Sequence, residues 1–410
     1  MTNAAVSIYV ARELGAVQFG AFGLAYVTYS FALNASRGLA TDPLVVRFSG
    51  AEGASWRRAV ARASGTALTV GFAVGACVLV AAVMLQGTAR LAFIALGITL
   101  PGLMLQDSWR YAFFALGRGR GACLNDAVWA LTMIPGLVFL RESGHANVFT
   151  FVLTWGIAGN IAAAVGPLQT RVLPRVSAGW NWVSQHRDLG PRYLAENTAN
   201  SGGAQLRTYG VGLMLGLASV GYVSASNTLM GPFVVIMMGI SLVTVPEAAR
   251  LLRRSPQHLR LYCLLCGAVL AVAAMGWGIT LLVALPRGLG HWLLGPIWRP
   301  TYPLMLPVAI GVAGTCFSDG ASAGLRALGA SRRSLRAQII TSVLYVVFGL
   351  VGAYIDGAVG TVEGTMVALW IGALLWWWQL RAAMQESDQV PELRWSLGYR
   401  ARLCRRSKHA

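Results

Sequence analysis

Eleven runs of mainly apolar residues, each close to 20 residues long, dominate the sequence. A helix needs about 20 apolar residues to cross the bilayer core, because each residue adds about 1.5 Å and the core is about 30 Å thick. Only 12% of the residues are charged, about half the fraction of a typical soluble domain. We therefore predict an all-α integral membrane protein. The runs cover residues 20–40, 64–85, 91–115, 122–140, 148–170, 193–215, 219–245, 259–284, 302–325, 337–355 and 363–383.

A shorter apolar stretch, residues 1–11, precedes the first full run. It reaches only about 17 Å as a helix. We interpret it as the end of a truncated first helix, which reflects either a late start codon or the loss of half a helix. Counting it gives about 12 transmembrane helices in two sets of six. Because six is even, both sets enter the membrane from the same side, which predicts two parallel six-helix repeats around a central cavity.

Sequence landmarks recur in the same order in both halves, as expected for a duplicated membrane module. The separations between equivalent positions are 201, 203 and 212 residues. Such duplication is common among transporters, so it favours transport before any single residue is considered. The equivalent positions are Leu14-Gly15-x4-Gly20 and Leu215-Gly216-x4-Gly221, Pro43 and Pro246, Arg47 and Arg250, Asp107 and Asp319, and Ala115-Leu116-Gly117 and Ala327-Leu328-Gly329.

The arginines fall mainly in every second connection between the apolar runs, which gives a topology. The formal net charge of +18 suggests nucleic-acid binding in a soluble protein, but this distribution fits the positive-inside rule instead. We expect no nucleic-acid partner, a multi-pass protein of the inner (cytoplasmic) membrane, and both termini in the cytoplasm. The predicted domains are two six-helix bundles at 1–172 and 191–384, an interfacial linker at 173–190, and a basic cytoplasmic tail at 385–410.

Two apolar runs carry stripes of polar residues. Ionisable groups inside a membrane helix are energetically costly and therefore suggest function. On the seventh predicted helix, Glu196, Asn200 and Arg207 fall within about 60° of one another at 100° per residue. On the second helix, Tyr26 and Arg37 share a face. Each stripe predicts a helix face that lines a cavity or pairs with another helix.

Three further positions complete the candidate site. Asp107 and Arg110 lie three residues apart and can pair on one helix face. Asp319 stands alone at the equivalent position of the tenth helix, and Arg12 closes the short first helix. The functional interpretation is a water-filled cavity in which arginines bind a diphosphate or another anion. The alternative is that these residues form internal ion pairs or lie at helix ends. The substrate-binding candidates are Arg12, Tyr26, Arg37, Arg110, Asn200 and Arg207, and the ion-coupling candidates are Asp107, Glu196 and Asp319.

No pattern indicates catalysis, so we expect a protein that is not an enzyme and has no cofactor. The longest connection, 171–192, is basic and aromatic and resembles an interfacial amphipathic segment. Cys263 and Cys266 have the spacing of a redox or zinc motif but lie in one apolar run with no second pair. We interpret them as apolar helix residues and predict no metal site.

Five segments together resemble polysaccharide and O-antigen flippases, which belong to the multidrug/oligosaccharidyl-lipid/polysaccharide exporter superfamily. They occur in the same order as in that family, and the resemblance extends over about residues 8–384. The segments are ARELGAVQFGAFGLA at 11–25, DPLVVRFS at 42–49, RYAFFALGRGR at 110–120, LASVGYVSAS at 217–226 and LLGPIWRPTYPLM at 293–305.

This resemblance implies a flippase that moves an undecaprenyl-diphosphate-linked oligosaccharide from the inner to the outer leaflet by alternating access, for cell-surface polysaccharide biosynthesis. It places Arg12, Arg110 and Arg207 in a cationic cavity. Expected partners are the lipid-linked glycan, a bilayer with an anionic inner leaflet, and a polysaccharide polymerase and glycosyltransferases. Two alternatives stay open: multidrug or cation-coupled efflux within the same superfamily, and a non-transporting membrane protein of envelope assembly.

Overall fold

The computed structural model describes residues 2–51, 53–285 and 287–389, and this part of the chain contains helices and turns but no strand. A five-residue π-helical turn, Arg37–Thr41, joins the first two helices. The helices are α1 (Thr2–Ser36), α2 (Asp42–Phe48), α3 (Gly53–Met84), α4 (Gly87–Ala115), α5 (Gly119–Glu142), α6 (Val148–Thr170), α7 (Gly179–Gln185), α8 (Gly190–Leu215), α9 (Leu217–Arg254), α10 (Leu259–Ala284), α11 (Arg287–Leu294), α12 (Trp298–Ala327) and α13 (Ser331–Gln389).

Within the described ranges, nine stretches are long and apolar enough to cross a membrane. The first, which includes α1, and the last, α13, are each broken by non-helical residues: Gly15 in α1, and Asp356 with Gly357 in α13. Counting both arms of each broken helix, including the short first arm of α1, and adding the more polar α8, gives twelve membrane helices among the described residues. The prediction of an all-α membrane protein with about twelve helices is confirmed.

The second predicted helix, 20–40, is displaced in the structure. Its helical arm starts directly after Gly15 and ends at Ser36, and the π-helical turn holds residues 37–41. Gly38 within this turn packs against the backbone of Leu194 in α8. A side chain at position 38 would occupy the same space, so the turn allows α8 to approach closely.

The duplicated glycines adopt the same backbone geometry in both halves. Gly15 has φ 74° and ψ 175°, and Gly216 has φ 79° and ψ 176°. Residues with a side chain rarely adopt such dihedral angles, which explains why glycine occupies both positions. The breaks between paired membrane helices in the two halves are therefore conformationally equivalent.

The two Ala-Leu-Gly motifs also end their helices in the same way. Gly117 ends α4 with φ 66°, and Gly329 ends α12 with φ 70°. In each case the amide after the glycine donates to a carbonyl five residues back, which is the Schellman arrangement. The bonds are Arg118 N to Phe113 O at 2.9 Å and Ala330 N to Leu325 O at 3.0 Å.

A reciprocal contact joins equivalent glycines of the two halves. The backbone of Leu217 lies against Gly20 so closely that a Cβ there would clash, and the backbone of Ala16 lies against Gly221 in the same way. Reciprocal contact between equivalent residues is what a local two-fold relation requires. Small residues at such crossings let membrane helices pack through their backbones.

By packing, the chain forms two compact units. Unit 1 comprises Met1–Leu229, Leu285–Leu304 and Ala353–Thr361, and unit 2 comprises Met230–Ala284, Met305–Gly352 and Val362–Ala410. Unit 1 contains all of α8, so the packing division does not coincide with the boundaries predicted for the two six-helix bundles. Units defined by packing need not coincide with the repeated halves of a duplicated sequence. The two six-helix bundles and the linker between them therefore stay a prediction.

Candidate functional site

Asp107 is the centre of a buried charge cluster in unit 1. Its side chain is 2% exposed, and α4 places it opposite the π-helical turn. Arg37 donates to both carboxylate oxygens, with Nε to Oδ2 at 2.9 Å and Nη2 to Oδ1 at 2.8 Å. Arg110 donates from Nη1 to Oδ1 at 3.2 Å. A charge so far from water needs partners of this kind, and two guanidinium groups supply them.

The cluster continues into α5 and α6 through residues that sequence reasoning missed. The Nε atom of Arg110 lies 3.3 Å from Oδ1 of Asp126. Gln106 donates to Asp126 at 3.0 Å and to Asn125 at 3.1 Å. Asn125 in turn donates to Gln169 at 2.9 Å. The signal was present in the sequence, because Asn125 and Asp126 interrupt the start of an apolar run next to the helix that carries Asp107.

A polar seam joins α8 to the second arm of α1 and to α2. Thr28 shares a hydrogen bond of 2.7 Å with Tyr209, and Asn34 donates to Ser201 at 2.7 Å. Farther along, Asn197 donates to Asp42 at 2.9 Å. The three contacts show that α8 runs antiparallel to this arm. Asn197 and Ser201 each lie one position after the predicted stripe residues Glu196 and Asn200, whose side chains lie outside the described part of the structure.

Two more of the substrate-binding candidates, Arg207 and Tyr26, lie elsewhere in unit 1. Arg207 is 5% exposed and falls on α8 between the two seam contacts to Thr28 and Asn34. Tyr26, 36% exposed, contacts the rings of Phe22, Tyr29 and Trp155. Neither residue contacts Asp107 in the hydrogen bonds and ion pairs that form its cluster.

Arg12 lies well away from the Asp107 cluster. It sits on the first arm of α1, with its guanidinium 5.1 Å from the ring centre of Trp292 and its Nε 3.9 Å from Glu13. Glu13 also pairs with Arg141 at 3.4 Å. The neighbours of Arg12 therefore differ from those of Arg37 and Arg110. The structure groups Arg37, Arg110 and Asp107, and places Arg12 in a separate cluster.

In unit 2, Asp319 lies in a different environment from Asp107. It lines a small polar cavity with Ser241, Thr244, Ser322 and Arg326. Among the residues that the structure describes, none forms an ion pair with it within 4 Å. Hydroxyl groups therefore make up most of its polar surroundings.

Metal ligands do not cluster in the described part of the chain. No group of three His, Cys, Asp or Glu side chains that could hold a metal ion occurs within those residues. Cys263 is buried in unit 2 among Leu259, Ala321 and Leu325. Its packing matches the interpretation of this cysteine as an apolar helix residue.

Comparison with known proteins places this geometry in a recognised fold. The sequence matches no family model and no curated protein. The structure aligns with an inward-facing multidrug resistance MATE family transporter of the MOP superfamily, with a TM-score of 0.73, 14% identity and 95% of each chain covered. The chain shares its fold with this transporter.

Two further solved structures agree with that fold. One is the lipid II flippase MurJ in an inward closed conformation, with a TM-score of 0.69, 11% identity, and 93% of this chain and 85% of that chain covered. The other is a MOP-superfamily transporter from Pyrococcus furiosus, with a TM-score of 0.58, 15% identity, and 95% and 92% covered. These neighbours are transporters rather than enzymes. At such identities the likeness concerns the fold and leaves the substrate open.

Proposed function

We propose that the chain is a flippase that moves a polyprenyl-diphosphate-linked oligosaccharide from the inner to the outer leaflet by alternating access. The observation that supports this proposal is the convergence of Arg37 and Arg110 on the single buried carboxylate of Asp107. A structural neighbour described as a lipid II flippase adds support at the level of the fold. The inner membrane, cytoplasmic termini and a role in cell-surface polysaccharide biosynthesis are parts of the same proposal.

The cluster has the free donors that a diphosphate needs. Two guanidinium groups contact the buried carboxylate of Asp107, and Arg110 also contacts Asp126, which is 44% exposed. A guanidinium has five N–H donors, and Arg37 directs only its Nε and Nη2 groups at Asp107. The side chains of Arg37 and Arg110 are 25% and 30% exposed. An incoming diphosphate can therefore bind the remaining donors without first separating either arginine from Asp107.

In this proposal Asp107 is a positioning residue. Without a carboxylate between them, two guanidinium groups at this distance would repel each other and rotate apart. Asp107 keeps both in place when no substrate is bound, so substrate binding does not have to order them. In the same proposal, Arg207 on α8 and the ring of Tyr26 on α1 contact the part of the substrate beyond the diphosphate.

Cation-coupled drug efflux is the second candidate function, and one observation favours it. Asp319 shares its cavity with Arg326 but is in no ion pair within 4 Å among the described residues, so its carboxylate is available to a proton, a metal ion or a cationic molecule. The MATE family neighbour has the same fold. In a flippase the same acid would serve ion coupling, so Asp319 alone does not separate the two functions.

The test is complementation of a host that lacks its own glycan flippase. Wild type, Arg37→Gln/Arg110→Gln and the control Arg250→Gln are compared. Arg250 also pairs with an acid three residues away, Glu247, but its side chain is 64% exposed. The measurements are surface glycan, lipid-linked precursor on the cytosolic leaflet, and protein level in the membrane.

We expect wild type and Arg250→Gln to restore surface glycan, and the double variant to accumulate precursor when expression is adjusted to give the same amount of protein in the membrane. The Arg37→Lys/Arg110→Lys variant keeps the charge but loses the planar fork of donors, and we expect partial function. The proposal fails if wild type restores no glycan of several types. Lower accumulation of cationic drugs would then support efflux, and no transport of either kind would support a non-transporting envelope-assembly protein.

A further inference from the structure

A basic pocket of about 400 Å³ lies in unit 1 between the α2–α3 connection and α7. It is separate from the Asp107 cluster, because none of the residues of that cluster lines it. Its polar lining is rich in hydrogen-bond donors. The lining side chains include Arg47, Ser55, Arg58, Arg62, Trp182 and His186.

The charge of this pocket is strongly positive. The described lining residues include three arginines and neither Asp nor Glu. Arg47 is partly neutralised, since its Nη2 lies 2.6 Å from Asp188. Arg62 donates only to the uncharged side chain of Gln185, at 3.2 Å. Among the described residues, Arg58 and Arg62 therefore have no acidic partner, and their positive charge favours an anionic ligand.

Trp182 adds an unpartnered donor to the same pocket. Its side chain is 1% exposed and stacks on Phe48 at 5.8 Å and His186 at 4.1 Å between ring centres. Within the described chain, the indole Nε1 has no hydrogen-bond acceptor. A buried donor without an acceptor is unfavourable and uncommon in folded proteins. An acceptor oxygen of a ligand in the pocket would satisfy it.

We propose that this pocket binds the phosphate group of an anionic phospholipid. The pocket lies where α3, a candidate membrane span, begins. Trp180, on the same short helix as Trp182, is 80% exposed, and exposed tryptophan beside arginine is typical of the headgroup region. This site goes beyond the proposed transport function and does not depend on it.

Unit 2 has a related pocket, which supports the lipid as the source of the phosphate. It is about 260 Å³ in volume and is lined by Arg260, Arg381, Trp377 and Trp378. Arg260 lies at the start of α10, as Arg58 lies at the start of α3. Arginine and tryptophan thus occur together beside the start of a membrane helix in each unit, where a lipid headgroup is available.

The experiment is a binding titration of purified, delipidated full-length protein by native mass spectrometry. Phosphatidylglycerol is the test lipid and phosphatidylcholine the zwitterionic comparison, and inorganic phosphate is a separate arm. The variants are Arg58→Gln/Arg62→Gln, which removes two pocket charges, and Trp182→Phe, which keeps the ring but removes the donor. Arg118→Gln/Arg120→Gln is the matched control, because it removes two exposed arginines, one from the α4–α5 connection and one from the first turn of α5.

We expect phosphatidylglycerol to bind more tightly than phosphatidylcholine to the wild type. The double pocket variant should weaken that binding about tenfold, and Trp182→Phe about threefold, since hydrogen bonds to charged groups are the stronger class. The control variant Arg118→Gln/Arg120→Gln should change the affinity for phosphatidylglycerol less than about twofold. Thermal melting of every variant verifies the fold.

Three results would overturn the proposal. Equal binding of the two lipids by the wild type would show that charge is not recognised. Equal effects of the pocket and control variants would show that the pocket is not the site. Displacement of the lipid by inorganic phosphate, with the same dependence on Trp182, would instead assign the pocket to free phosphate and reject the lipid as its ligand.

Discussion

Asp107 and Asp319 occupy equivalent positions in the two halves, each eight residues before an Ala-Leu-Gly helix end. Asp107 is 2% exposed and ion-paired with Arg37 and Arg110. At offsets of 203 and 212 residues, the positions equivalent to these arginines hold Ile240 and Ser322. The same backbone thus presents a paired acid in one half and, within the described residues, an acid without an ion pair in the other.

The difference shows which properties of a duplicated module are retained and which diverge. The glycines that set the helix breaks and ends have nearly identical dihedral angles in both halves, because no other residue adopts them without strain. Side-chain chemistry is not constrained in that way. An acid with two arginine partners suits a permanent, charge-balancing role, whereas an acid among hydroxyl groups can gain or lose a cation.

The largest effect should come from removing the charge of Asp107. Asp107→Asn leaves two partly buried guanidinium groups without their carboxylate, and breaking a buried pair costs about 3–5 kcal/mol. We expect a marked loss of thermal stability in detergent, with transport lost as well. Asp319→Asn is the matched control and should shift the melting temperature far less. Equal shifts would contradict the assignment of different roles to the two acids.

A double-mutant cycle measures the interaction between Arg37 and Asp107 more directly. For Arg37→Gln with Asp107→Asn we expect a coupling free energy of about 2 kcal/mol, because both partners are largely withdrawn from water. For the exposed pair of Arg250 and Glu247 the expected value is about 0.3–0.5 kcal/mol. Unfolding of the purified variants provides both values, and similar couplings would show that burial does not distinguish the pairs.

The geometry shared by the halves has a smaller but testable effect. Gly20→Ala and Gly221→Ala each place a methyl group against a backbone carbonyl and should destabilise by about 1–3 kcal/mol. Both substitutions separate the same two helices where they cross. The double variant should therefore lower the free energy of unfolding by less than the sum of the two single losses. Gly231→Ala, with open space around it, should stabilise its helix by up to about 1 kcal/mol. Additive losses would mean that the two glycines do not share one contact.

The smallest expected change in stability accompanies a specific change in function. Asp319→Asn should alter stability by less than about 1 kcal/mol but remove the dependence of transport on an ion gradient. Ser322→Arg places a partner three residues from Asp319 and should also remove that dependence, by making this half resemble the other. Glu363→Gln, another acid of unit 2, is the control. Unchanged ion dependence in both Asp319→Asn and Ser322→Arg would exclude Asp319 as the coupling residue.

Much of the fold followed from local sequence patterns. The apolar runs predicted the membrane class and the number of helices, since span length and composition are properties of single segments. The duplicated Ala-Leu-Gly motifs were visible as repeats in the sequence, and the structure shows that both end a helix, at Gly117 and Gly329. The second helix was misplaced by several residues, because a π-helical turn is not visible in apolar content.

The sequence by itself determined the membrane class, the twelve-helix count, the duplication, and the pairing of Asp107 with Arg110, which three residues of helix bring together. Only the tertiary structure decided that Arg37 completes this cluster from 70 residues away, that Arg12 has different neighbours, and that Asp319 has no such partner among the described residues. The physical reason is that periodicity specifies which face a side chain shares within its own helix. Which face of another helix it meets depends on how the helices pack, and that decides whether a charge is paired.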